Sequence, residues 1–139
     1  MFSKETEYAL RGLVYIQRRT QSGYRPGTDE ISAEIGAPRF FIAKILQRLV
    51  KQGFLHSQKG RGGGFFFEEQ HSPLTLGEVI VSTEGDQILT GCGFGLSHCS
   101  QQSPCPLHNL YSPIREALQV IASRTITSLA QQEDAGILP

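Results

Sequence analysis

Long apolar runs are missing from this 139-residue chain. No stretch approaches the ~18 residues that a membrane-spanning helix needs. The opening Met1-Phe2-Ser3-Lys4-Glu5 carries an acid and lacks the apolar core of a signal peptide. The expectation is a soluble protein that stays in the cytoplasm and has no membrane partner. Cysteine is scarce: there are three, an odd number that argues against a disulfide framework in that compartment. None stands in a C-x2-C pair, and no base with an orienting partner can be read beside them. No catalytic residue is assigned, and the chain is read as something other than an enzyme. Net charge is absent too, with 13 basic against 13 acidic side chains. At 19% charged and 39% apolar residues, the composition is neither that of a disordered chain nor that of a membrane protein. The length suits one domain or two very small ones.

The zero net charge conceals a division. Residues 1–67 hold 11 Lys/Arg against 5 acids, net +6, whereas residues 68–139 hold 2 against 8, net −6. A basic front half on an acidic back half points to a polyanion-binding module joined to a different second module. The bland alternative is a chance clustering of solvated charges. Ser72-Pro73 marks a boundary, so the expected domains are residues 1–71 and 72–139.

Apolar periodicity predicts a helix over residues 4–19, with Tyr8, Ala9, Leu13 and Ile16 near one face. After the breaker-rich stretch Gln21–Gly27, Thr28 or Asp29 can cap a short helix carrying Ile31 and Ile35, which Gly36 stops. Pro38 then opens a third helix, with Phe41, Ile42, Ile45, Leu46, Leu49 and Val50 as its inner stripe and Gly53 as its end. A hairpin follows, with strands at 54–58 and 65–68 around the turn 59–64. Thr75-Leu76-Gly77-Glu78 has capping-box spacing and starts a short helix. No period survives from Gly85 to Pro106, which reads as a long loop. The last long helix covers roughly 107–122 with the stripe Leu110, Ile114, Leu118 and Ile121. Pro113 is a kink in it, or a restart capped by Ser112. A further turn lies around Ile126 and Leu129.

Helix, short helix, helix and hairpin is the order of a winged helix-turn-helix. The fold class expected is mainly α with a small β-hairpin wing, followed by a C-terminal helix. In that arrangement the third helix enters the DNA major groove. Its inner stripe leaves Arg39, Phe40, Ala43, Lys44 and Gln47 on the DNA side. Arg39 can fork onto guanine acceptors, while Lys44 and Arg48 suit phosphates. The alternative is an ordinary amphipathic helix with a solvated face. In the turn Lys59-Gly60-Arg61-Gly62-Gly63-Gly64, two cations stand among bare backbone, so the tip can approach phosphates and add N–H contacts from residues such as Gly62 and Gly63. A nucleotide-cradling loop would need a following helix and a Lys-Ser/Thr pair, and neither is present.

All three cysteines fall in the segment Cys92–His108, spaced C-x6-C-x5-C-x2-H. Flanking Gly and Pro prevent a helix there and let the sulfurs converge. Three thiolates and a histidine can hold zinc or an iron–sulfur cluster. The wide spacings suit a cluster better than the C-x2-4-C pairs of zinc sites. His108, one helical turn beyond Cys105, is the better fourth ligand, and His98 faces solvent. His56 and His71 read as ordinary wing and loop residues. Three reduced cysteines without metal is the alternative.

Taken together, Pro38–Leu49, Gly53-Phe54-Leu55, Lys59–Phe65, Leu76–Ile80 and the clustered cysteines resemble the Rrf2 family, the IscR-, NsrR- and RirA-like bacterial transcription regulators. The resemblance extends from Ser3 to about Leu129. It implies a homodimer in which the long C-terminal helix crosses to its partner, and two winged helices on half-sites of a near-palindromic operator in double-stranded DNA. It also implies an iron–sulfur cluster, 2Fe–2S or 4Fe–4S, on Cys92, Cys99 and Cys105, responsive to redox state, nitric oxide or iron. The fourth ligand in IscR-like members is a histidine that here matches His108. Other members use an acid from the first helix of the partner chain, and Glu7 of the partner subunit falls at that place. Two departures stand out: the first cysteine interval is one residue longer than in IscR-like members, and position 43 is Ala where those proteins carry an acid that contributes to DNA discrimination. A structural zinc or a cluster-free thiol switch in the same loop is the alternative.

Overall fold

The computed structural model describes residues 1–69 and 73–137. It divides into two compact units, Met1–Leu74 with Thr125–Pro139, and Thr75–Arg124. The expectation for His71 lies outside the described residues.

Unit 1 is built on α1 (Lys4–Gln21), α2 (Thr28–Ile35) and α3 (Arg39–Lys51). Ser3 caps α1, its hydroxyl accepting from the Thr6 N–H at 3.3 Å. The Gly27 backbone, rather than the side chain of Thr28 or Asp29, precedes α2. Pro38 sits at the N-cap of α3 in extended conformation. Gly53, at φ +80°, ends α3 with the Phe54 N–H on the Leu49 carbonyl and its own N–H on Val50, both at 3.0 Å. That pairing meets carbonyls the helix leaves open.

The core of unit 1 gathers Ala9, Leu13 and Ile16 from α1, Ile31 and Ile35 from α2, and Ile42, Ile45, Leu46 and Leu49 from α3. Phe41 departs from its expected place in the inner stripe and is 56% exposed. Ile42 next to it fills the interior, and positions 41 and 42 point about 100° apart around a helix.

The hairpin is shorter than its sequence suggests: β1 (His56–Gln58) pairs antiparallel with β2 (Gly64–Phe66), His56 opposite Phe66. It is fastened to the α1–α2 loop by the Phe65 N–H on the Pro26 carbonyl at 2.9 Å. A Cβ on Gly64, whose φ is +145°, would fall on the Arg25 carbonyl, so only glycine lets the strand come this close.

The chain returns to unit 1 with α7 (Ile126–Ala130), which buries Ile126 and Ala130. This differs from a simple division at residues 71 and 72. The physical reason is a long-range one: α7 packs on α1, and Arg18 of α1 donates to the carbonyls of Ala130, Gln132 and Ala135 at 3.2, 2.7 and 3.0 Å. A cation at a helix C-terminus meets both open carbonyls and dipole.

Unit 2 contains α4 (Leu76–Glu84), α5 (Gln87–Thr90) and α6 (His108–Ala122). The capping box forms as expected, with the Glu78 N–H on Thr75 Oγ1 at 3.2 Å and the Thr75 N–H on Glu78 Oε2 at 2.8 Å. The four-residue α5 interrupts the expected loop; one turn is too short to show a period. Pro113 lies inside α6 and the helix runs through it. Ser112 caps no restart, because its hydroxyl donates to the His108 carbonyl at 2.7 Å. Leu76, Val79, Ile80 and Leu118 form the unit's small core.

Candidate nucleic-acid interface and thiol cluster

In unit 1 the outer face of α3 carries Phe40, Ala43, Lys44 and Gln47, spaced i, i+3, i+4, i+7 and therefore on one side. Phe40, Lys44 and Gln47 are exposed and Ala43 half-buried. Lys44 Nζ stands 4.2 Å from the centre of the Phe40 ring, and Phe41 meets that ring edge-on with centroids 6.5 Å apart. Two cations expected at DNA have acidic partners on neighbouring helices: Arg39 pairs with Asp29 of α2, and Arg48 with Glu5 of α1.

At the hairpin tip Lys59, Arg61 and Gly62 are exposed. Among the described residues, no acid lies within ion-pair distance of Lys59 or Arg61. Gly63 is half-buried and donates to the Gly60 carbonyl at 3.0 Å, so it closes the turn. Between α3 and the hairpin runs a groove of about 370 Å³ lined by Gln47, Val50, Lys51, Gln58, Lys59 and Phe65 among others. Lys51 was not singled out from sequence; its place in the last turn of α3, three residues after Arg48, was the available signal. His56 packs on Phe66 and lies 3.6 Å from Glu68.

In unit 2 the three thiols converge. Their sulfurs all lie within 4.8 Å of one another, and they are the one such cluster of potential metal ligands among the described residues. Cys92 Sγ and Cys105 Sγ are 3.5 Å apart, and His108 Nδ1 is 3.3 Å from Cys99 Sγ. All three cysteines are free thiols and partly exposed. The loop folds over α6 because Gly93 lies against Tyr111 and Leu107; a Cβ there would approach their side-chain carbons to 2.7–3.0 Å. Backbone N–H groups of Leu96 and Phe94 turn onto the Cys92 sulfur and draw its pKa down to about 7. Burial pushes the Cys105 thiol up, reinforced by the adjacent Cys92 sulfur. A hydrogen-bonded thiolate beside a neutral thiol is the expected state when two sulfurs crowd one another.

His108, Ser112 and Arg115 follow one face of α6 and line a cavity of about 440 Å³ with Cys92 and Cys99. Arg115 also donates to the Gly91 carbonyl at 3.1 Å. Sequence reasoning missed Arg115, although its spacing of seven from His108 is a two-turn interval. His98 is exposed. Glu7 lies on α1 in unit 1, bonded to Lys4 at 2.9 Å. Three soft sulfurs with an imidazole nitrogen beside them are a donor set that fits zinc or iron–sulfur chemistry.

No helix among the described residues is long and apolar enough to cross a membrane. The chain is 30% identical over 138 residues to Protein aau3 of Rhizobium meliloti, covering 93% of this chain and 84% of that one. It is 26% identical over 128 residues to the HTH-type transcriptional regulator IscR of Yersinia pseudotuberculosis, covering 91% and 77%. Its fold matches the solved structure of CymR, the global cysteine regulator of B. subtilis, with a TM-score of 0.71 at 18% identity, covering 94% and 96%. The family model described as "Rrf2: Iron-dependent Transcriptional regulator" matches residues 2–132. With a helical fold, a two-stranded wing and that match over nearly its whole length, the chain belongs to the Rrf2 family of DNA-binding transcriptional regulators.

Proposed function

We propose that this regulator is a cytoplasmic homodimer that senses redox state, nitric oxide or iron supply through an iron–sulfur cluster held by Cys92, Cys99 and Cys105. The observation that carries the reading is the convergence of three thiols within 4.8 Å on a loop that folds onto α6. A cluster of the 2Fe–2S or 4Fe–4S type would supply labile charge and cross-links to that loop. His108 is the fourth ligand in this proposal, with Glu7 of the partner subunit as its competitor. The proximity of His108 Nδ1 to Cys99 supports the first. The Leu96 and Phe94 N–H groups favour Cys92 as a thiolate, the form that binds metal.

Residues 1–71 act as the DNA-binding domain, and the sensor loop and the dimer contacts lie within 72–139, whose last part, from Thr125 on, returns to unit 1. On α6, Leu110 is 74% exposed, and Ile114 and Ile121 are exposed with it, which supports a face that meets a second copy. The DNA contacts proposed are Arg39, Phe40, Ala43 and Gln47 in the major groove, with Lys44 of the same face on a phosphate. Arg48, Lys59, Arg61 and Gly62 run along phosphates of a near-palindromic operator, with half-sites about one turn apart, and Gly63 takes part by closing the turn that presents them. A tenfold switch in DNA affinity requires only ~1.4 kcal/mol between sensor states.

One distance favours a second reading. Two thiolates bound at ~2.3 Å to one tetrahedral ion stand about 3.8 Å apart, close to the 3.5 Å between Cys92 and Cys105. That geometry also suits a structural zinc. The deciding experiment is an absorption spectrum of protein purified without oxygen, with iron, sulfide and zinc measured on the same sample. Charge-transfer bands with matched iron and sulfide are expected. Colourless protein containing zinc would favour the second reading, and a metal-free protein that resists reconstitution would refute both. Cys99→Ala is expected to abolish iron binding and the iron-dependent change in DNA affinity.

A further inference from the structure

An exposed phenylalanine at the start of a helix is costly in water unless something covers it. Phe40 is 67% exposed although the core of unit 1 is already filled from α3 by Ile42, Ile45, Leu46 and Leu49. It is also held in place. Phe41 braces it edge-on and Lys44 sets an ammonium over the ring. Ala43 continues the apolar surface one turn on. The guanidinium best placed to read a base, that of Arg39, is engaged by Asp29. The centre of the outward face of α3 is therefore apolar, with cations at Lys44, Lys51, Lys59 and Arg61 in the same unit.

In the major groove the four bases differ in one apolar feature: thymine alone presents a methyl group, and Phe and Ala are side chains that accept it. We propose that Phe40, with Ala43 beside it, reads thymine 5-methyl groups and fixes thymine at the corresponding place in each half-site. This rests on the reading of α3 as the helix that enters DNA. The net charge of +6 over residues 1–67 favours a polyanion over an apolar protein partner as the occupant of this face.

The test begins by selecting bound sequences from a random duplex pool with the full-length protein. Each thymine of the selected site is then replaced by deoxyuridine, which removes only the methyl. For the wild type, affinity is expected to fall about fourfold at each contacted methyl, the worth of one buried CH₂. In Phe40→Ala, whose exposed position leaves the fold intact, deoxyuridine at the same place is expected to change nothing. Phe40→Leu, which keeps an apolar tip, is expected to retain a smaller thymine preference. Specific binding by the wild type that ignores every deoxyuridine would overturn the proposal. So would a loss of equal size in Phe40→Ala, because the effect would then arise in the DNA or at another residue. Failure to bind any duplex would overturn the placement of α3 itself, and this inference with it.

Discussion

Replacing Gly12 by alanine is expected to stabilise this protein. Glycine in the middle of a helix costs about 1 kcal/mol relative to alanine, because it gives up more backbone freedom on folding. Gly12 is buried in the middle of α1, and a Cβ there would lie 3.5 Å from Ile42 Cδ1, 3.8 Å from Ile35 Cδ1 and 3.9 Å from Ile31 Cγ2. These are ordinary contact distances, so the methyl fills space without displacing a neighbour. Its burial adds about 0.8 kcal/mol, giving an expected gain of about 1–2 kcal/mol. For a unit of this size, Tm rises about 4–8 °C per kcal/mol. Thermal and urea unfolding followed by circular dichroism would read it. Gly12→Leu is the contrast: its extra carbons run into the three isoleucines and should cost about 1–3 kcal/mol. A lower Tm for Gly12→Ala would refute the reasoning, because it would mean α1 and α3 approach too closely for even a methyl.

Thr75→Ala breaks the capping box and is expected to lower stability by about 0.5–2 kcal/mol in urea unfolding; an unchanged midpoint would show that Glu78 holds the helix start alone. Arg61→Ala should weaken binding to all duplexes and reduce the salt slope by about one. A loss confined to one base pair would make Arg61 a base reader instead. Alkylation of the metal-free protein, followed by peptide mass spectrometry, should show Cys92 half-reactive near pH 7, while Cys105 lags above the ordinary thiol range. Because the folded pKa of Cys92 is depressed, its contribution to stability is full above the ordinary thiol pKa. It is lost as pH falls through about 7. Identical profiles at the two cysteines would contradict the hydrogen bonding onto Cys92.

What was legible in the sequence was local. Gly36 and Gly53 end helices because a residue past the last turn needs backbone freedom, and Thr75 with Glu78 announces a cap within four residues. The isoleucine and leucine stripe of α3 is one period read over thirteen positions. What escaped depends on partners distant in the chain. Asp29 engages Arg39 from another helix, so the guanidinium given to a guanine is not unattached. Phe41 continues the apolar pattern, yet Ile42 takes the interior place. The spacing of the cysteines named the sulfurs that meet, but closure of the loop depends on Gly93 against Tyr111. Arg115 joins that surroundings only because α6 runs unbroken through Pro113.

The return of α7 makes unit 2 an insertion. The chain leaves unit 1 after Leu74 and rejoins it at Thr125. Each unit closes its own side of the passage: the Ile126 N–H meets the Leu74 carbonyl at 2.9 Å, and the Leu76 N–H meets the Arg124 carbonyl at 2.8 Å. During synthesis, α1 to α3 and the wing emerge first, and all of Thr75–Arg124 must follow before Ile126 and Ala130 arrive to cover α1. A chain interrupted anywhere in unit 2 carries α1 to α3 but not the residues that complete the core of unit 1. Finishing unit 1 thereby certifies that the cysteine loop has been made.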